Sequence, residues 1–290
     1  MVQSVIAGVD GSPESVAAAR WAAGEALRRE RPLRLVLAWP WLFNAPPTVR
    51  DSDTGLAQEM LLEIESGLRG DFPGLEVSAD RIADHPAEVL VAAAEGAELL
   101  VLGSRGLGAV AGFLVGSVGL QVLARAACPV VLVRSGEGAP EVRGADGTGE
   151  VVLGMELERP CDEVVEFAFQ AAARSSARLR AVHTWSLPST YGYAAAPLSV
   201  DLTTSLAKDA EQALAAALHP WREKYPQVEA VEQVMLGSAG QVLAEAAAQG
   251  AALLVVGRRV RTSPVGMHVG PVAHAVLHHA RCPVAVVPHP

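Results

Sequence analysis

The chain has 290 residues, half of them hydrophobic and 19% charged, with a formal net charge of −9. That length admits two ordinary domains, and that apolar content supplies a sizeable core, which excludes wholesale disorder. The acidic balance without a dense Lys/Arg run argues against nucleic acid as a partner. The three cysteines lack CxxC spacing and no segment reaches the roughly 18 uncharged apolar residues of a membrane span, so a cytoplasmic protein without a membrane anchor is expected.

Residues 2–9 form a short run rich in β-branched side chains that stops at Asp10-Gly11-Ser12-Pro13, the pattern of a buried strand ending in a turn. Ser12 as N-cap and Pro13 at the first helical position predict a helix, with Val16, Ala19, Ala23, Ala26 and Leu27 on its apolar face through about Arg29. Residues 33–39 predict a second strand, 40–54 a Pro-rich polar loop, 56–68 a helix, 75–82 a third strand and 89–94 a third helix ending near Gly96. Residues 99–134 then read as a buried strand, a glycine-rich loop, a helix opening at Gly116-Ser117 and a second buried strand entered through Cys128-Pro129. The pairs Arg28-Arg29 and Arg258-Arg259 read as solvated charge.

Strands alternating with helices of this length imply parallel pairing through right-handed crossovers, with helices on both faces of the sheet. The first half is therefore expected to be doubly wound α/β. Ligands of such sheets bind beyond the carboxyl ends of the strands, where the strand order switches, and Asp10 and Gly103 both follow strands onto that edge.

Residues 134–150 lack apolar periodicity and are crowded with Gly, Pro and charge, which marks a linker. Beyond it the pattern restarts. VVLGMELE at Val151 is similar to VIAGVDGS at Val5, and ALLVVGRRV at Ala252 to ELLVLGSRG at Glu98; Cys282-Pro283 answers Cys128-Pro129 at the same 154-residue offset that relates Gly257 to Gly103. This is a tandem duplication, with domains expected at 1–135 and 150–290 and a linker at 136–149.

A loop short of side chains lets an anion approach the backbone, and the first turn of the following helix offers unpaired N–H groups at the positive end of its dipole. Here Gly103 ends a strand, Gly106 follows three residues on, and nine residues then lead to Gly116 with the Ser117 hydroxyl beside it. That order is a phosphate site. The glycines admit phosphate, Ser117 can donate to a phosphate oxygen or ligate Mg²⁺, and Asp10 can accept from ribose hydroxyls. A second reading of Asp10 is a turn acceptor bonding the backbone at Ser12, and Arg105 reads equally as a phosphate donor or a solvated loop charge.

With Gly103-x2-Gly106-x9-Gly116-Ser117, the opening Gly8-Val9-Asp10-Gly11-Ser12 and the terminal Cys-Pro-Val-Val strand in place, nearly the whole chain resembles a tandem universal stress protein. The resemblance implies two doubly wound, parallel-sheet domains of the Rossmann-like, adenine nucleotide alpha hydrolase-like kind. It implies ATP binding in the first copy. The backbone at Val9 and the Asp10 carboxylate would hold adenine and ribose, with Ala38 against the base. Gly103, Arg105, Gly106, Gly116, Ser117 and Val118 would surround the phosphates. The same resemblance implies a stress-response or regulatory role, pairs the two domains through residues 130–133 and 284–287, and allows a homodimer.

Competing motifs are weaker. Gly106 to Ala111 fits G-x-G-x-x-A but does not open the first βαβ unit, and Ala126 stands where an acidic residue belongs; no Lys follows the glycines, so Walker A is absent, and GVDGSPES does not match the SGGxDS loop of ATP pyrophosphatases. In the second copy Gly106 becomes Val260, Ser117 becomes Pro271, Asp10 becomes Glu156 and Gly11 becomes Leu157, while Gly116 persists as Gly270. Valine disfavours the positive φ open to glycine and proline removes an N–H, so this site is expected to be weak or lost, with Arg258 and Arg259 offering charge to a different anion. His274 and His278 share one helix face without an HExxH carboxylate and read as surface or packing histidines rather than metal ligands; Cys128 and Cys282 read as small buried thiols. No activated nucleophile, general base or second acidic metal ligand accompanies the glycines, so no catalytic residue is assigned and fast ATP hydrolysis is not expected. A slow ATP-hydrolysing or nucleotidyl-transferring enzyme and a ligand-free interaction scaffold are the alternatives.

Overall fold

A computed structural model of the chain describes residues 3–39, 47–104, 115–134, 149–185, 200–260 and 269–290, with the backbone alone described at 47–54 and 200–203. Its first half runs β1 (Val5–Val9), α1 (Pro13–Arg28), β2 (Leu33–Ala38), α2 (Pro47–Asp71), β3 (Val77–Ile82), α3 (Pro86–Ala94), β4 (Leu99–Ser104), α4 (Ser117–Arg125) and β5 (Val130–Arg134). The second half repeats the pattern as β6 (Glu150–Met155), α5 (Asp162–Ser175), β7 (Arg178–Trp185), α6 (Val200–Lys224), β8 (Ala230–Leu236), α7 (Ala239–Ala248), β9 (Ala251–Arg259), α8 (Pro271–His279) and β10 (Val284–His289).

The local chemistry of α1 matches its sequence signals. Ser12 caps the helix by accepting a hydrogen bond from the Ser15 N–H, Pro13 sits in the first turn, and Gly11 supplies the positive φ of +80° that the turn before it requires. Ala18, Ala19, Ala22, Ala23 and Ala26 are fully buried and let the helix lie close on the sheet. The expected loop over 40–54 is corrected: residues 47–54 continue α2 upstream. Proline is tolerated in a first helical turn, and extending a nucleated helix costs little even where no apolar stripe announces it. The third helix likewise begins at Pro86, with His85 in the capping position.

The ten strands form one sheet in the order β3-β2-β1-β4-β5-β10-β9-β6-β7-β8. Each half is parallel throughout, and the halves join through the antiparallel pair of β5 and β10, with Leu132 opposite Val284, Val131 opposite Ala285 and Val130 opposite Val286. The six seam residues are at most 3% exposed. Their alternation feeds both cores: Val131 and Ala285 face the core under α1, α2, α5 and α6, whereas Val130, Leu132, Val284 and Val286 face the core under α3, α4, α7 and α8.

Two arginines, Arg258 buried and Arg134 half-buried, lock this seam, each reaching the carbonyl end of a helix in the other half. Arg134 donates to the Leu277 carbonyl at 2.6 Å, and Arg258 donates to the carbonyls of Ala124 at 3.1 Å and Ala126 at 2.6 Å. A cation at the negative end of a helix dipole, donating to carbonyls that lack helical partners, is a favourable cap. Burial pushes Arg134 down to about 10, so it stays charged at neutral pH. Arg258 is 4% exposed, which corrects its reading as solvated charge.

Arg29 departs from the same expectation. It is 8% exposed, pairs with Glu25 at 2.6 Å and Glu98 at 3.0 Å, and lies over the Phe167 ring of α5 at 5.3 Å. Burial opposes ionisation of Glu98, but hydrogen bonds from Arg31 and Arg29 outweigh it and hold the carboxyl below the usual range. A lowered folded-state pKa means that the unfolded chain takes up the proton first. The stabilisation is full above the unfolded value, near ~4.3, and is lost as pH falls through the folded one. Urea unfolding at a series of acidic pH values should therefore show a midpoint that falls on acidification, and less steeply in Glu98→Gln; superimposable profiles would remove Glu98 from the acid response.

Candidate functional site

In the first half the chain leaves β1 for β2 and β3 on one side and later for β4 and β5 on the other, so the strand order switches between β1 and β4. Asp10 and Gly103 stand at the carboxyl ends of these two strands. Val9 is the last residue of β1 and 4% exposed; Ala38 is the last residue of β2 and half-buried. The N-terminus of α4, with exposed Gly116 and Ser117 and half-buried Val118, follows β4 in the chain. Arg105 and Gly106 lie outside the described residues.

Hydrogen bonds organise the turn after β1. Asp10 Oδ1 accepts from the Ser12 N–H at 3.0 Å and from its hydroxyl at 2.5 Å, while the Asp10 N–H donates to Ser15 Oγ at 3.2 Å. The buried Ser15 hydroxyl in turn donates to the Ser12 carbonyl at 2.9 Å. Asp10 is thus a turn acceptor, the second of its two sequence readings, and its carboxylate is held at the strand end. Ser15 was missed by sequence reasoning, although its three-residue spacing from Ser12 is a usable signal.

The two described glycines of the motif do different things. A Cβ on Gly103 would stand 2.6 Å from the Glu14 carbonyl group and 2.8 Å from the Ser15 nitrogen, so this glycine lets the first turn of α1 lie across the end of β4. A Cβ on Gly116 would meet nothing within 4 Å, and its φ of −59° suits any residue. Nothing among the described residues demands glycine there. Gly116 is the N-cap of α4 and has no side chain with which to cap the first N–H groups of that helix.

The corresponding edge of the second half is built differently. Gly257, the counterpart of Gly103, is covered by the His289 imidazole, whose Nε2 lies 2.9 Å from where a Cβ would be. The Val260 N–H is spent on the His289 carbonyl at 2.7 Å, and Pro271 occupies the first turn of α8. Beside them an open cavity of about 500 Å³ is lined by Arg159, Pro160, Cys161, Asp162, Glu163, Arg259, His289 and Pro290. Charges of both signs meet there. Arg258, offered by the sequence as compensating charge at this edge, is instead committed to the seam.

The environment of each thiol disfavours the thiolate. Burial pushes Cys128 up to about 11 and Cys282 up to about 12; burial and the neighbouring Glu163 carboxylate raise Cys161 to about 11. His274 and His278 do share a face, with ring centroids 4.4 Å apart. Among the described residues no group of three or more His, Cys, Asp or Glu side chains is placed to hold a metal ion, and no helix is long and apolar enough to cross a membrane.

The model of the universal stress protein family matches residues 1–134 and 148–288. The chain belongs to that family. A universal stress protein of Mycobacterium bovis is 33% identical, covering 97% of this chain and 96% of its own length, and one of Mycolicibacterium smegmatis is 31% identical over 99% of both. The fold is also that of a crystallised universal stress protein from Archaeoglobus fulgidus, which superimposes with a TM-score of 0.72 over 98% of each chain at 18% identity. Two copies of the family's domain in one chain account for the repeated element order.

Proposed function

We propose that this universal stress protein binds ATP in its first half and serves as a stress-response regulator, with the second half mainly structural. The observation that carries the reading is Gly116: an uncapped, sterically open helix start inside an intact glycine motif, in a fold whose strand order switches between Asp10 and Gly103. These residues fit a nucleotide. The N–H groups at Ser117 and Val118 suit phosphate oxygens, the Ser117 hydroxyl suits phosphate or Mg²⁺, and Gly106 and Arg105 extend the cradle by sequence. The Asp10 carboxylate, held at the end of β1, suits ribose hydroxyls, and Val9 and Ala38 border the base.

ATP binding would change the charge and order of the edge above β1 and β4, which suits a signal read by a protein partner or by a second copy of the chain in a homodimer. The setting proposed is the cytoplasm. Calorimetric titration with ATP in the presence of Mg²⁺ tests the reading. One ATP per chain is expected; no binding would overturn the nucleotide assignment, and two per chain would overturn the structural role of the second half.

A further inference from the structure

α4 packs on the core at both ends: Val115 just before it is 4% exposed, and Val118 in its first turn lies against the same cluster. Its buried residues, Val122 and Leu123, lie in its C-terminal half, and Arg125 adds an ion pair to Glu88 of α3 at 2.5 Å. Gly116 and Ser117 at the other end are exposed. Where this helix points depends on the hold at its C-terminus as well as on that packing, and two of the hydrogen bonds at the C-terminus come from the other half of the chain: Arg258, 4% exposed at the end of β9, holds the carbonyls of Ala124 and Ala126.

Nine residues at 1.5 Å each make a rod of about 13 Å, so a tilt of ~10° about its packed middle moves the N-terminus by ~1 Å. Displacement of that size is enough to spoil hydrogen bonds to a phosphate, which weaken steeply with distance and angle.

We propose that Arg258 is a positioning residue for the phosphate site: from the second half it fixes the axis of α4, and thereby the N–H groups at Ser117 and Val118, for a ligand bound to the first half. The inference rests on the nucleotide reading above. It gives the second copy a role in binding although its own glycine motif is broken, because at the position of Arg258 the first copy carries Ser104, whose hydroxyl donates to the Val133 carbonyl within its own half. Arg134 is the reciprocal clamp, and it touches α8 instead of α4.

The test compares ATP with adenosine, which lacks the phosphates. Arg258→Met should bind ATP about tenfold more weakly, within the usual range of coupling between sites, and adenosine as the parent does. Arg134→Met, which removes a half-buried charge from the same seam, should retain ATP affinity. Arg258→Lys keeps the charge but replaces the two-point contact; it should show a smaller selective loss of ATP, and it serves as the readout if the methionine chain does not fold. Parallel losses of ATP and adenosine, equal losses in the Arg134 variant, or unchanged ATP affinity in folded Arg258 variants would overturn the proposal while leaving the nucleotide site standing. A parent chain that binds neither compound would instead overturn the nucleotide reading itself.

Discussion

Gly116→Asp should stabilise the protein and abolish ATP binding together. Aspartate is among the best N-cap residues, glycine is poorer by a few tenths of a kcal/mol, and a negative charge at the start of α4 gains roughly 0.3–1 kcal/mol from the dipole. Space is available, because a Cβ at Gly116 meets nothing within 4 Å and the backbone already has capping geometry, with φ −59° and ψ 157°. The same carboxylate would take the N–H groups meant for phosphate and repel the anion, for an expected loss of about a hundredfold or more in affinity, equivalent to roughly 2.7 kcal/mol. Gly103→Ala should behave in the opposite way: its Cβ would collide with backbone atoms of Glu14 and Ser15 that cannot swing aside, costing about 1–3 kcal/mol of fold stability by overpacking. Thermal unfolding and ATP calorimetry on the two variants separate the glycine the ligand needs from the glycine the fold needs. ATP binding by Gly116→Asp at the parent's affinity would remove α4 from the site.

Ala285→Glu should unfold both halves at once. Ala285 is fully buried opposite Val131 in the strand pair that joins the halves, and a carboxylate there has neither water nor a cationic partner. The cost is expected to be at least about 4 kcal/mol, a large part of the 5–15 kcal/mol typical of a folded domain. Both cores run through this seam, so the loss is shared. Amide hydrogen exchange read at β1 and at β6 should lose protection together; persistence of protection at β1 after its loss at β6 would show that the halves fold independently.

Much of this architecture was legible in the chain. Short β-branched runs marked the strands because a sheet covered on both faces selects continuous apolar segments, as in the fully buried Val5–Val9. Ser12-Pro13 marked the start of α1 and Gly116-Ser117 that of α4 because capping is local chemistry, decided within a few residues. The first eight residues of α2 were not legible: their polarity carries no apolar period, and a helix can extend over such residues once the next turns are formed. Asp10 had two readings, turn acceptor and ribose acceptor, and the observed bonds to Ser12 supply the first.

Arg258 and Arg259 show most sharply where sequence reasoning stops. Written side by side they read as one exposed basic pair, but adjacent side chains of a strand point to opposite faces. Arg258 meets the end of a helix more than 130 residues earlier in the chain, and Arg259 lines the cavity at the edge of its own copy. By itself the sequence determined the duplicated α/β pattern, the glycine motif and its decay in the second copy, because these depend on local propensity and on comparison of the chain with itself. Only the tertiary structure decided that the copies share one sheet, that Gly103 serves the fold while Gly116 is left open, and that the second copy holds α4 by its far end. Those outcomes depend on which surfaces meet across long loops, and contacts between residues so distant in the chain leave no periodicity in it.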